Sequence, residues 1–195
     1  MKDLQKMSPI EFKSCSILAS VYALRMLGMF LILPIFAIYA TNLDSNPTSL
    51  QIGLALGIYG LTQAIFQIPF GMSSDYFGRK KVIYFGLLLF IIGSLIAGYS
   101  TSIEGIILGR SIQGSGAISA VLTALLADIT REEQRTKAMA IIGASIGLTF
   151  ALSLVLSPWL NDLIGVNGIF ILMAILSLTA FLLVYFFIKE PEIRK

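Results

Sequence analysis

An all-α membrane protein, built as six transmembrane helices in two inverted three-helix repeats, is the fold class this sequence predicts. Three features carry that reading: long apolar runs, bases confined to alternate connections, and a correspondence between the two halves of the chain. Hydrophobic residues make up 56% of the 195 and charged residues 13%, against roughly 25% charged in a soluble domain. A membrane span needs about 20 predominantly apolar residues. Six runs qualify, at roughly 14–40, 50–72, 82–99, 103–127, 136–160 and 168–188, so residues 1–195 read as one six-span bundle. The connections are short, at 41–49 with the turn-forming Asn46-Pro47, 100–102, 128–135 and 161–167. Pro34 and Pro158 fall inside spans, where neighbouring helices can re-satisfy the freed backbone groups.

Orientation follows from the bases, because cytoplasmic connections retain Lys and Arg. Lys2, Lys6 and Lys13 precede the first span, and Arg79, Lys80 and Lys81 follow the second. Arg131, Arg135 and Lys137 follow the fourth, and Lys189, Arg194 and Lys195 follow the sixth. The other connections contain no base and hold only Asp44, Glu104 and Asp162. Both termini are therefore expected in the cytoplasm. The repeat shows in the two bases left over. Arg25 in span one is followed by Gly28, and Arg110 in span four by Gly114, while the basic loops begin with Asp75 and Asp128 respectively. Three spans is an odd number, so such a repeat must be inverted, as in many secondary transporters.

Composition also excludes. The net charge of +3 comes from short clusters between apolar runs, which form no basic face for nucleic acid. With no histidine and no metal-ligand cluster, no metal, cofactor or enzymatic reaction is expected. Gly143-Ala144-Ser145-Ile146-Gly147 fits the GxSxG elbow of serine hydrolases, but it lies in a span with no histidine to activate the serine. The lone Cys15 reads as apolar filling, and the first run is too long for a signal-peptide core.

A charge at mid-membrane is costly, and by default marks function. Arg25 lies roughly 16 Å past Ser14 at a helical rise, near the midplane, and Arg110 roughly 10 Å in from Ile103. No span interior holds an acid, so these cations need a carboxylate from elsewhere, an anionic substrate or backbone oxygens. Tyr59, Gln63 and Gln67 share one helical face by their four-residue spacing, and Gln113 adds a polar group beside Arg110. All six are candidates to border a central substrate cavity, with interhelical bonding as the plainer alternative. The glycines at 53, 57 and 60, and at 109, 114 and 116, are expected to let helices approach closely.

The pattern Gly71-x-x-x-Asp75-x-x-Gly78-Arg79-Lys80-Lys81 resembles the signature loop between spans two and three of the major facilitator superfamily. Arg110-x-x-Gln113-Gly114 is similar to the family's span-four motif, and runs such as "RMLGMFLILP" and "ILGRSIQGSGAI" look closest to its YajR-type efflux branch. The resemblance implies the amino-terminal six-helix half of a transporter that works by alternating access. It implies that Asp75 braces the inner ends of two halves, that Arg79 pairs with an acid ending span four, here Asp128, and that Gly71 clears a helix contact. The implied partners are membrane lipid, a small-molecule substrate and a second six-helix half, either the missing carboxy-terminal half beyond "IKEPEIRK" or a partner chain. Efflux of drug-like or amphipathic compounds is the leading expectation. Uptake of an anionic metabolite and a non-transporting six-span subunit are the alternatives. Drug/proton antiporters of the family carry Gly-Pro followed by Gly-Gly in span five, where this chain reads Ser157-Pro158-Trp159-Leu160-Asn161-Asp162. Without an acid at mid-depth, the main site of any proton coupling is expected outside these residues.

Overall fold

A computed structural model describes residues 7–43 and 46–188. Lys2, Lys6, Asp44, Lys189, Arg194 and Lys195, used above for orientation, lie outside the described residues. All regular structure within them is helical: α1 (Pro9–Ile32), α2 (Phe36–Thr41), α3 (Ser49–Phe77), α4 (Arg79–Tyr99), α5 (Ile103–Ser115), α6 (Ser119–Ile129), a 3₁₀ turn (Glu132–Gln134) and α7 (Arg135–Phe187).

Local chemistry sets the starts and stops. Ser8 and Glu11 form a capping box that opens α1 with Pro9 in its first turn, and Thr48 and Gln51 do the same for α3. The first predicted span, 14–40, is not one rod. Pro34 has no N–H to continue the ladder and its ring blocks the preceding turn, so α1 stops at Ile32 and the chain resumes as α2. The fourth, 103–127, is likewise broken at Gly116–Ile118 between α5 and α6. The loop expected at 161–167 is absent. At about 1.5 Å per residue, the 53 residues of α7 would measure about 80 Å, far more than a bilayer's hydrocarbon. Gly165 resolves this by adopting φ 66°, ψ 173°, a region that only glycine enters without strain, and divides α7 into limbs 135–164 and 166–187. Gly78, at φ 97°, ψ 142°, turns α3 into α4 in the same way.

The limbs run from end to end. At one end Glu11 bonds Arg131, Arg79 bonds Asp128, and Lys80 donates to the Ile188 carbonyl. These contacts gather the start of α1, the α3–α4 turn, the α6–α7 turn and the end of α7. At the other end Gln51 donates to Glu104, Tyr39 donates to Asn167, and Asn167 donates to the carbonyls of Gly98 and Ser100. The described bases of the connections all belong to the first end, and none to the second. α1 packs chiefly on α7, α4 on α5 and α7, and α3 on α5. One apolar cluster, including Leu18, Leu87 and Leu122, lies toward the basic end, and another, including Leu31, Phe90 and Phe170, lies toward the opposite end.

Glycines make the α4–α5 seam close. A Cβ on Gly109 would lie 2.6 Å from the Gly93 carbonyl and 2.7 Å from the Ala97 nitrogen. The glycines at 53, 57 and 60 make no close approach within this chain, since a Cβ there meets nothing within 4 Å, and the same holds for Gly71. These four open onto a face that no other helix among the described residues covers, and α3 is the least buried of the apolar helices. Gly109→Leu is expected to destabilise the chain by ~1–3 kcal/mol through overpacking. Gly57→Ala, in open space, is expected to leave it unchanged or gain up to ~1 kcal/mol in helix propensity. Thermal melting in detergent, followed by circular dichroism, compares the two.

Candidate functional site

The turn at Gly78 places Arg79 where its guanidinium can reach two helices at once. Its Nη1 lies 2.6 Å from Asp75 Oδ1 and also donates to Ser74 Oγ at 2.6 Å, while Nε donates to Asp128 Oδ2 at 3.0 Å. Ser74 in turn donates to the Gly71 carbonyl at 2.6 Å. The fork therefore ties the end of α3 to the end of α6. Asp75 remains 67% exposed on its side chain and Asp128 40%, so both carboxylates keep free acceptor capacity. Lys80 is held by the Ile188 carbonyl and the face of Tyr84, whereas Lys81 points outward, exposed.

The interior arginines are differently placed. Arg25 is 1% exposed and donates from Nη2 to the Gly116 carbonyl at 2.7 Å and from Nη1 to Ser119 Oγ at 3.1 Å. It thereby spans the break between α5 and α6. Arg110, also 1% exposed, donates from Nε to the Ala55 carbonyl at 2.7 Å and from Nη2 to that of Leu56 at 3.4 Å, fastening α5 to α3. Of the acceptors open to these cations, the fold supplies backbone oxygens. Two aromatic rings link them. Arg25 lies 5.5 Å from the Phe90 ring centroid, Phe90 meets Tyr59 edge-on at 6.3 Å, and Arg110 lies 5.3 Å from the Tyr59 centroid. Each guanidinium gains a cation–π contact in a dry setting, where such contacts are worth most.

Gln113 is buried beside this layer and donates to Ser94 Oγ at 2.8 Å. Tyr59 is buried, while Gln63 and Gln67 are half-buried, one and two turns further along the same face of α3. Buried polar atoms without a hydrogen bond gather here: Arg25 Nε, Tyr59 Oη, Gln63 Oε1, Arg110 Nη1 and Gln113 Oε1. The structure thus brings Arg25, Tyr59, Gln63, Arg110 and Gln113 to one polar layer, and places the Gly71–Lys81 stretch and Asp128 at the basic end. Ser145 of the GxSxG stretch donates to the Ile142 carbonyl at 2.7 Å, with no base near it.

Sequence reasoning passed over Glu11. It is buried and grips Arg131 through both carboxylate oxygens at 3.0 Å, and also accepts from the Arg131 backbone N–H at 2.9 Å. This contact holds the Arg131 guanidinium above its ordinary pKa, chiefly through the Glu11 hydrogen bond. The Ser8/Glu11 capping spacing was the available signal. Phe90 was also passed over, since one aromatic in an apolar run gives no sign that it will separate two cations.

Against known proteins, residues 18–195 match the family model of the Major Facilitator Superfamily. The chain belongs to this superfamily. It is 53% identical over 174 residues to the inner membrane transport protein YajR of Escherichia coli (strain K12), a match covering 89% of this chain and 38% of that protein. It is 30% identical to the class B tetracycline resistance protein of Escherichia coli, over 85% of this chain and 42% of that one. Among solved structures, the human organic anion transporter MFSD10 aligns with a TM-score of 0.77 at 19% identity, covering 94% of this chain and 49% of that one. A bacterial homolog of the lysosomal transporter Spinster aligns at 0.79 and 16% identity, covering 97% and 45%. These likenesses show the fold: half of a major facilitator bundle, multi-pass in the membrane. The chain spans less than half the length of the curated relatives it matches.

The role given to Arg25 is testable on the chain itself. A lysine keeps the charge but cannot serve Gly116 and Ser119 with a planar fork. Arg25→Lys is expected to cost ~1–2 kcal/mol, and Arg25→Ala ~2–3 kcal/mol by leaving a buried carbonyl unbonded. Both are read from thermal melts of the purified protein.

Proposed function

We propose that this chain is the amino-terminal six-span half of a secondary transporter that exports drug-like or amphipathic solutes by alternating access. In this reading it sits in a bacterial-type inner membrane with both termini cytoplasmic. The observation that carries it is the Arg79 fork between Asp75 and Asp128, at the end where the bases collect. Asp75 is anchored from within its own half yet exposed, free to meet the positive amino end of a helix in a second half. That half, a carboxy-terminal continuation or a partner chain, would cover the open face of α3, where Gly53, Gly57, Gly60 and Gly71 leave room for close approach. Tyr59, Gln63 and Gln67 would then border the solute path, with Arg25, Arg110 and Gln113 as the polar layer behind them. Export is supported by the tetracycline resistance relative and by the apolar surroundings of these few polar groups, a setting that suits amphipathic ligands.

Uptake of an anionic metabolite has less support, because its motive was two cations without partners, and both guanidiniums hold main-chain carbonyls. Among the described residues, every carboxylate stands at the end of a limb. An acid for proton coupling is therefore assigned to the second half.

The test is Asp75→Asn in the full-length transporter. A carboxylate at a helix amino end is worth ~0.3–1 kcal/mol, so the variant is expected to slow transport by up to about fivefold. Membrane insertion and melting of the protein should not change. Ethidium and tetracycline uptake into inverted vesicles are the readouts. Wild-type rates with both probes, in a variant present at normal level, would remove Asp75 from the gate.

A further inference from the structure

We infer that the chain carries a site for one anionic phospholipid, in a groove between the start of α1 and the end of α7. The groove has a volume of about 420 Å³ and is lined by Phe12, Lys13, Ser16, Ser20, Leu183 and Phe187, among others. Its walls are apolar and its rims outward-facing: Phe12 is 56% exposed and Phe187 53%. Two exposed aromatic rings thus border an apolar groove, a setting that suits an acyl chain. What commits the occupant to a phospholipid, rather than to a helix, is the charge.

Lys13 lines the groove and reaches across it, its Nζ 5.9 Å from the centroid of the Phe187 ring. It makes no ion pair among the described residues. Glu11, two residues earlier, is turned to the other side of α1 and gripped by Arg131. Among the described residues the cation therefore has no carboxylate partner, and it stands exposed one turn into the helix. A cation–π contact is a weak hold for an ammonium at an exposed site, and a phosphate oxygen would displace it readily. The Ser16 and Ser20 side chains add polar atoms on the same face of α1. Ser20 Oγ donates to the Ser16 carbonyl at 2.9 Å, so its proton is committed and Lys13 is left as the group that meets the anion. An anionic head group thus meets a lysine while one of its chains lies between Phe12, Leu183 and Phe187.

The site rests on the reading that this end of the bundle faces the anionic inner leaflet, where each nearby Lys or Arg strengthens attraction. Its test does not depend on sidedness, because a nanodisc presents both leaflets. Purified full chain in nanodiscs would be titrated with phosphatidylglycerol and with phosphatidylcholine of identical chains, and lipid retention read by native mass spectrometry. The wild type should retain one phosphatidylglycerol in preference to phosphatidylcholine. Lys13→Ala should cut that preference about fivefold, the loss of one cation's attraction, and Lys13→Arg should keep it. Ser20→Leu, which fills the groove and leaves the charge, should lower retention of both lipids. Equal retention of the two lipids by the wild type, or an unaltered preference in Lys13→Ala, overturns the site. If the preference holds while the end proves to face outward, the orientation falls and the site stands.

Discussion

Hydrocarbon offers no hydrogen bonds, so every backbone group freed inside it has to find its partner within the protein. The helices of this chain break repeatedly, and at several of these breaks and ends a side chain from elsewhere takes up the loose carbonyl. Pro34 turns the Ile35 N–H to the Ile32 carbonyl, and Ser157 donates to the Leu31 carbonyl at 2.6 Å. Between α5 and α6, Arg25 takes the Gly116 carbonyl. Where α4 ends, Asn167 serves Gly98 and Ser100, and where α7 ends, Lys80 serves Ile188. The two mid-bundle arginines belong to this system. Their charge is expensive to bury, and carbonyl dipoles together with the Phe90 and Tyr59 faces offset that expense.

The same constraint sorts polar groups by strength. Inside, removing one partner of a buried charge leaves an uncompensated group and costs several kcal/mol, so the polar layer suits a rigid body that moves as a unit. At the basic end, the Arg79 pairs are open to solvent, and exposed ion pairs contribute only ~0–1 kcal/mol. On the proposed function, such weak pairs suit a gate that opens in every cycle. Under the proposed function, a stiff bundle with lightly held pairs at one end would suit rocking against a second half.

Much of this was legible in the sequence because its causes are coarse. Run length and hydropathy marked where the apolar helices lie, and the described lysines and arginines of the connections gather at one end of the bundle. The Arg79–Asp128 juxtaposition came from a motif resemblance, and the geometry puts those groups 3.0 Å apart. Other features were hidden for physical reasons. Pro34 could have been tolerated as a kink, and the sequence does not mark that α1 ends at Ile32 and helix resumes only at Phe36. Gly165 shares its positive φ with Gly78, and composition does not reveal which glycines adopt it. Spacing made Gly57 and Gly109 look alike, yet one faces open space and the other a neighbouring backbone. The acceptors of Arg25 and Arg110 were hardest to foresee, because main-chain carbonyls leave no mark in the sequence.

The account stands on the one-sidedness of the cations. A single cysteine in place of Lys81, in a Cys15→Ser background of the full-length protein, probes it most directly through a membrane-impermeant maleimide applied to intact cells and to inverted vesicles. The account predicts labelling in inverted vesicles and none in intact cells. Labelling from the outside of intact cells would contradict it, and with it the placement of the gate.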